Sequence, residues 1–291
     1  MYGILIVDKP AGFTSHDVVA KLRGICGTKK IGHGGTLDPM ATGVLPVFIG
    51  RAAKAVDLQP RTDKTYEAVL RLGERTDTGD VTGTVLERAQ VHADEAAVRA
   101  VLPQFVGESA QVPPMYSAVK VNGQPLYKAA RRGQQVERKA RPIVIHSLEL
   151  LGQVSEREFL LRVHCGKGTY VRVLLEDIGR ALGAPATMSA LRRTAAGPYT
   201  LADAHTLDEI QTARDAGTLE ALLRGVDTVF AGLAPLEVDE AARSRLLNGA
   251  AVYRVREQDG RRRIYCGGEF VGVGAVRAGV LTQEKIFCGR E

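Results

Sequence analysis

The chain has 291 residues, 45% hydrophobic and 25% charged, with 39 Lys+Arg against 33 Asp+Glu and a formal net charge of +6. This ordinary globular composition excludes a disordered or collagen-like chain, and the length fits about two domains. The best apolar run, Val44 to Gly50, is far shorter than the ~20 residues of a membrane helix and contains Pro46.

Four scattered cysteines, Cys26, Cys165, Cys266 and Cys288, show no CxxC spacing. They point to a reduced, cytoplasmic protein with neither a disulfide scaffold nor a zinc site. The apolar start, Tyr2 to Val7, has no basic leader and meets Asp8 and Lys9 at once, so it reads as a strand and not a signal peptide.

In chain order, Gly3 to Val7 is a buried strand closed by Lys9-Pro10 and Gly12. Thr14 and Ser15 are N-cap candidates for a helix in which Val18, Val19, Leu22 and Ile25 recur at helical spacing up to Gly27. A Gly-rich stretch to Gly43 separates this from a strand at Val44 to Ile49, and a short helix is expected at Ala52 to Leu58. Tyr66, Ala68, Leu70 and Leu72 alternate as in a half-buried strand, and Gly79 and Gly83 mark hairpin turns. Asp94 caps a helix expected through Phe105. Strands are expected at Ile143 to Leu151 and Glu158 to Val163, then a helix from about Thr169 to Leu182 and a strand at Ser189 to Thr194.

There is no regular βαβ beat, so the fold class is α/β (α+β) with a mixed, largely antiparallel sheet. From Pro235 the texture changes to short apolar pieces separated by Gly. This indicates a small β-rich C-terminal domain, with boundaries of 1–232 and 233–291.

The charge is not spread evenly. Between Lys120 and Pro142 lie seven basic residues, Lys120, Lys128, Arg131, Arg132, Arg138, Lys139 and Arg141, against Glu137 alone, so this segment carries the whole net charge of +6. Such a run is either a solvated face or a grip for a polyanion.

The densest chemical feature is Gly32-His33-Gly34-Gly35-Thr36-Leu37-Asp38-Pro39-Met40-Ala41-Thr42-Gly43. Pro39 forces Asp38 out of the α region, which projects its carboxylate from an extended or turn conformation. That carboxylate can close an Asx-turn, or act as base, nucleophile or ligand. In Gly168-Thr169-Tyr170-Val171-Arg172, a helix would put Arg172 and Leu175 on one side, so the Arg lies near apolar core and needs a carboxylate. Its partner is either Glu176 or Asp177 nearby, or an active-site carboxylate that it keeps ionised.

Rival motifs fail. A phosphate-binding loop at Gly166-Lys167-Gly168-Thr169 would need Gly at 161 and Ser or Thr at 168, where Leu161 and Gly168 stand. His33 and Asp38 lack a third metal ligand at a recognisable spacing. Nor is there a GxSxG serine, so Asp38 is the main catalytic candidate, without metal or cofactor.

These residues resemble the TruB-type tRNA pseudouridine synthases. The Gly32–Leu45 stretch resembles their signature motif, and Asp8-Lys9-Pro10-Ala11-Gly12-Phe13-Thr14-Ser15 their first motif. Pro113 to Lys120, Gly166 to Arg172 and Leu191-Arg192-Arg193-Thr194 also fit, in family order. The resemblance implies isomerisation of the T-loop uridine of tRNA to pseudouridine, with no redox change and no cofactor. It makes Asp38 the nucleophile, and attack on the sugar and on the base are both open to it.

The same resemblance makes Tyr66 the residue that stacks on the flipped base and moves a proton, and Arg172 the partner of the carboxylate. It assigns Leu191 to packing near the base, His33 to holding the target loop open, and Lys54 to the vicinity of the active site. Tyr170, in the same motif as Arg172, joins the substrate-binding set. The basic segment, as part of an insertion at about 105–142, becomes an RNA grip that includes Lys120, Arg131 and Arg132, and the tail resembles an RNA-binding PUA-like domain.

The expectation is therefore a cytoplasmic, stand-alone monomer that needs tRNA and no protein partner. The alternatives are a guide-RNA-dependent relative, or an RNA-binding, tRNA-folding chaperone with catalysis secondary.

Overall fold

The computed structural model describes residues 1–60, 62–121 and 123–289. β1 (Gly3–Lys9) is buried along nearly its whole length because both of its faces and its outer edge are covered. Ile4 and Arg224 exchange backbone hydrogen bonds of 2.9 and 2.8 Å, and the His205 backbone pairs with Ile6 and Asp8, so the edge offers no open ladder.

α1 (Ser15–Cys26) starts at a capping box, Thr14 with Asp17, and ends at Gly27 with φ 63°. Ser15 does not cap. Its buried hydroxyl accepts from the Leu37 amide at 2.8 Å.

β2 (Ile31–His33), β3 (Thr42–Ile49) and β4 (Lys64–Leu72) follow. The expected helix at Ala52 to Leu58 is a 3₁₀ segment, Gly50–Leu58, with Ala52 and Ala55 turned inward. A hairpin, β5 (Glu74–Thr76) and β6 (Val85–Arg88), precedes α2 (Glu95–Val101), which Asp94 caps. The helix expected to reach Phe105 changes to 3₁₀ over Leu102–Phe105, where Pro103 has no N–H to continue the α ladder.

Next come β7 (Gly107–Gln111), the small hairpin β8 (Lys120–Val121) and β9 (Gln124–Pro125), α3 (Leu126–Ala130), β10 (Arg141–Ser155) and β11 (Glu158–Cys165). α4 (Val171–Ala181) begins two residues later than expected, and β12 (Ala186–Ala196) is longer than expected. β13 (Tyr199–Thr200) and α5 (Leu207–Asp215) complete this part.

The main sheet runs β1-β3-β12-β4-β11-β10-β7, with β2 on β3 and β13 on β12. All pairings are antiparallel except β3 with β12. One face packs Leu5, Tyr66, Ala68, Leu70, Phe159, Leu161 and Val163 against α1 and α4. At the β1–β3 end the other face is also covered, since Ile4, Ile6 and Phe48 pack on Phe230, Val273 and Phe287. Toward β10 and β7 that second face lies open to solvent.

The C-terminal residues form a second sheet, β14 (Ala234–Glu237), β15 (Val252–Tyr253), β16 (Gly260–Cys266), β17 (Glu269–Arg277) and β18 (Val280–Ile286), in the order β14-β16-β17-β18-β15. α6 (Glu240–Leu247) leans on it. Leu236, Leu246, Ile264 and Leu281 form its own apolar cluster. The fold class is the mixed α/β arrangement expected. Among the described residues no helix is long and apolar enough to cross a membrane.

Candidate active site

Asp38 lies on the loop between β2 and β3, which the surrounding chain holds at several points. Ser15 brackets the Leu37 backbone, and the Gly34 amide donates to the Pro46 carbonyl at 2.8 Å. Lys9, fully buried, donates from Nζ to the carbonyls of Pro10, Phe13 and Pro39 at 2.8, 2.6 and 3.2 Å. Arg193, also fully buried, donates to the carbonyls of Val44, Gly35 and Thr36 at 2.6, 3.1 and 3.4 Å.

The loop's carbonyls thus point at two cations, leaving the Asp38 carboxylate free to face the cleft. The turn is closed by its backbone, Ala41 N to Asp38 O at 3.1 Å. The carboxylate itself is engaged elsewhere.

That engagement is Arg172. Its Nε lies 2.9 Å from Asp38 Oδ2, and Nη2 donates to Oδ1 at 3.1 Å, a two-pronged contact. The remaining guanidinium donors reach the carbonyls of Thr78 at 2.7 Å and Tyr116 at 2.9 Å, and Asp80 Oδ2 stands 3.9 Å away. Arg172 shares the buried face of α4 with Leu175 and Ile178, as its spacing requires.

The local-partner alternative is thereby decided. Asp177 pairs with Arg180 at 2.7 Å, and Arg172 crosses to Asp38. A guanidinium with all three nitrogens partnered and its side chain only 4% exposed is tolerable where an unpaired one would not be.

Burial pushes the Asp38 carboxyl above the ordinary carboxylate range; Arg172 pulls it down and Asp80 pushes it up. Burial raises the Tyr66 phenol, with the Arg193 charge opposing it. Lys9 is lowered to about 8, chiefly by burial, with Asp38 acting in the other direction. Lys64 is likewise lowered by burial and then by Arg193. Asp38, Arg172 and Lys64 line a small cleft of mixed polarity, with Asp80, Lys9 and Arg193 behind its wall, and their partial burial strengthens the interactions among them.

The cleft has a volume of about 240 Å³ and is lined by Asp38, Tyr66, Tyr170, Arg172 and Leu191, with Lys64, Ser117 and the Gly166–Thr169 turn. Five of the residues expected from sequence are thus brought together. His33 is half-buried on β2 behind the loop and does not line the cleft. Lys54 lines a different groove, with Arg51, Leu247, Gln283 and Lys285, because Ala52 and Ala55 take the inward positions of its 3₁₀ segment.

Lys120 lines a third groove beside Arg138, Lys139 and Arg141. Arg131 and Arg132 are exposed just past α3, with Arg131 over the Tyr127 ring. This basic segment connects to the cleft through one strand of chain. Tyr127 N donates to Ser117 O and Leu126 N to Val119 O, while Tyr116 O receives Arg172.

Sequence reasoning passed over Asp80 and Gln111, and the roles of Ser15, Lys9 and Arg193. Gln111 brackets the Tyr170 backbone, accepting from its N–H at 2.8 Å and donating to its carbonyl at 3.1 Å. Arg193 carried a usable signal: it stands two residues after Leu191 on a strand, so both point to the same buried face. Asp80 carried none.

Comparison with known proteins gives three family matches. Residues 23–171 match the TruB family pseudouridylate synthase (N terminal domain), 172–231 the tRNA pseudouridylate synthase B C-terminal domain, and 234–284 the family described as Pseudouridine synthase II TruB, C-terminal. The chain is 43% identical over 284 residues to tRNA pseudouridine synthase B of Azoarcus sp. (strain BH72), covering 98% of this chain and 94% of that one. It is 44% identical over 292 residues to tRNA pseudouridine synthase B of Burkholderia mallei (strain NCTC 10247), covering 98% and 96%.

Among solved structures, a chain of a Cbf5-Nop10-Gar1 complex superposes with a TM-score of 0.74 at 28% identity, covering 98% of this chain and 85% of that one. A chain of an H/ACA RNP bound to a substrate RNA containing 2′-deoxyuridine gives 0.75 at 25% identity, covering 99% and 86%.

Proposed function

The chain belongs to the TruB family of pseudouridylate synthases, and from that membership we infer that it isomerises a uridine of tRNA to pseudouridine. The target in this reading is the T-loop uridine. Its C–N glycosidic bond is broken, the uracil turns, and C5 is joined to the sugar while the C5 proton leaves to water and N1 takes one up. The balance is redox-neutral and calls for no cofactor or metal.

Asp38 is the nucleophile. The observation that carries this role is the two-pronged grip of Arg172 on its carboxylate, which supplies an ionised, oriented oxygen inside a buried cleft. Attack on sugar or base alike requires that ionised form. A base within a folded loop must leave its stack to reach Asp38, and Tyr66, Tyr170 and Leu191 supply the replacement surface. Tyr66 also serves as the proton-moving group. Lys54 and His33 lie outside the cleft lining and act in this reading on the RNA around the target, not on the reacting base.

Residues 1–232 form the catalytic domain and 233–291 a PUA-like RNA-binding domain. The start of the second sheet at Ala234 and its separate apolar cluster support that division. Lys120, Arg131 and Arg132 grip the RNA loop, supported by the backbone ties between their segment and the cleft wall.

The working unit is a cytoplasmic monomer with no obligatory protein partner. The relatives at 43–44% identity, against 25–28% for the chains of the two RNA–protein complexes, favour this reading over a guide-dependent one. The test is a T-arm hairpin tritiated at uridine C5 and incubated with the purified chain alone. Label released to water supports the assignment, and none released overturns it.

A further inference from the structure

We propose that Asp63, His146 and His164 form a binding site for a divalent transition cation of the zinc type, on the face of the sheet opposite the catalytic cleft. Their ligating atoms all lie within 4.8 Å of one another. His146 Nε2 stands 3.5 Å from Asp63 Oδ1, and the two imidazole centroids are 4.7 Å apart with the rings inclined at 43°. The three come from distant points of the sequence, so no spacing motif could announce them.

The sheet brings them together by parity and by one irregularity. Val163 and Cys165 face the core, so His164 between them faces outward. Lys64, paired with Cys165, lines the cleft, which turns the preceding Asp63 to the same outer face as His164. On β10 the pairing shifts between Ile145 and Ser147. This bulge keeps both Ile145 and Leu148 buried and leaves His146 outside, next to His164. Two adjacent strands, β10 and β11, therefore each contribute one donor at one end of the sheet, and the residue leading into β4 contributes the third.

The donor chemistry selects the cation. Two neutral imidazoles and a carboxylate suit zinc and its neighbours, whereas calcium and magnesium favour all-oxygen sets. Three protein donors leave a fourth tetrahedral position for water. Metal–nitrogen bonds of about 2.0–2.1 Å need donors closer together than this outer limit, so binding must draw the three side chains inward. On the same face Arg162 is held by Glu67 and Glu149, at 3.3 and 3.8 Å.

The full-length chain is titrated with zinc against a chromophoric chelator, and thermal unfolding is followed with and without zinc. One equivalent should bind and raise Tm, because a cation that binds only the folded state stabilises it. His146→Ala and His164→Gln should each weaken binding by about tenfold or more and remove the Tm shift. His146 is exposed and His164 is half-buried on the outer face of the sheet, outside the apolar core, so the variants should fold and retain tritium release from the T-arm hairpin. Equal zinc affinity in the wild type and both variants, or no zinc-dependent shift in the wild-type Tm, overturns the proposal.

Discussion

Arg172 closes on Asp38 from the first turn of α4, with both carboxylate oxygens within 3.1 Å of guanidinium nitrogens. Burial pushes this carboxyl up, and the guanidinium opposes that. Because the folded-state pKa lies above the ordinary value, the ionised form declines as pH falls, and activity should show an acid limb above the usual carboxylate range. Arg172→Lys keeps the charge but loses the fork. The carboxyl should then rise further, moving the acid limb to higher pH, and kcat should fall about a hundred-fold through misplacement of the nucleophile. A pH–rate profile of the variant checks both; an unmoved limb would make Arg172 merely structural.

Tyr66 offers the cleft a ring and a hydroxyl that can be separated. Tyr66→Phe preserves the stacking surface, so hairpin affinity should stay within about twofold. If the hydroxyl moves a proton, kcat should drop by about 10²–10⁴. Binding and single-turnover measurements on one preparation distinguish the two contributions. An unchanged kcat removes the proton role from Tyr66.

The parallel contact of β3 with β12 depends on Gly43. At φ +102° a Cβ there would sit 2.2 Å from the Arg193 carbonyl oxygen. Gly43→Ala must part the strands or twist the loop, and should destabilise the chain by about 3 kcal/mol. Urea unfolding reads this as a lower midpoint. A midpoint equal to the wild type would show that the strand contact is slack.

Arg131 and Arg132 are exposed beyond α3, so their loss should spare the fold. Replacing both by Ala should weaken hairpin binding and reduce the slope of log K against log salt by about 1.4–1.8, if each neutralises one phosphate. An unaltered slope would make the segment a solvated face.

Local signals carried the parts of the fold that were legible. Thr14, Asp17 and Gly27 mark both ends of α1, and the alternation of Tyr66 to Leu72 marks β4 and its buried face. α5, despite its capping box at Thr206 and Glu209, went unseen because only Leu207 and Ile210 are buried on so short a helix. In β16 the run Arg261-Arg262-Arg263 hid the strand, since their polar ends are taken up by Glu284, backbone carbonyls and Tyr265.

In the site, the residues themselves indicated that Arg172 needed a carboxylate. Which one was a matter of tertiary contact across 134 residues, and only the family resemblance named Asp38. Asp80 was illegible for the same reason. It reaches Arg172 because the β5–β6 hairpin folds over α4, and no spacing in the sequence encodes that.

The central claim is that the reaction depends on Asp38 as nucleophile, held in place by the cleft around it. The most direct measurement compares wild type with Asp38→Asn on a T-arm hairpin tritiated at uridine C5, recording label release and hairpin affinity together. The account predicts that release is abolished while affinity is retained. Release at the wild-type rate from the Asn variant would contradict it.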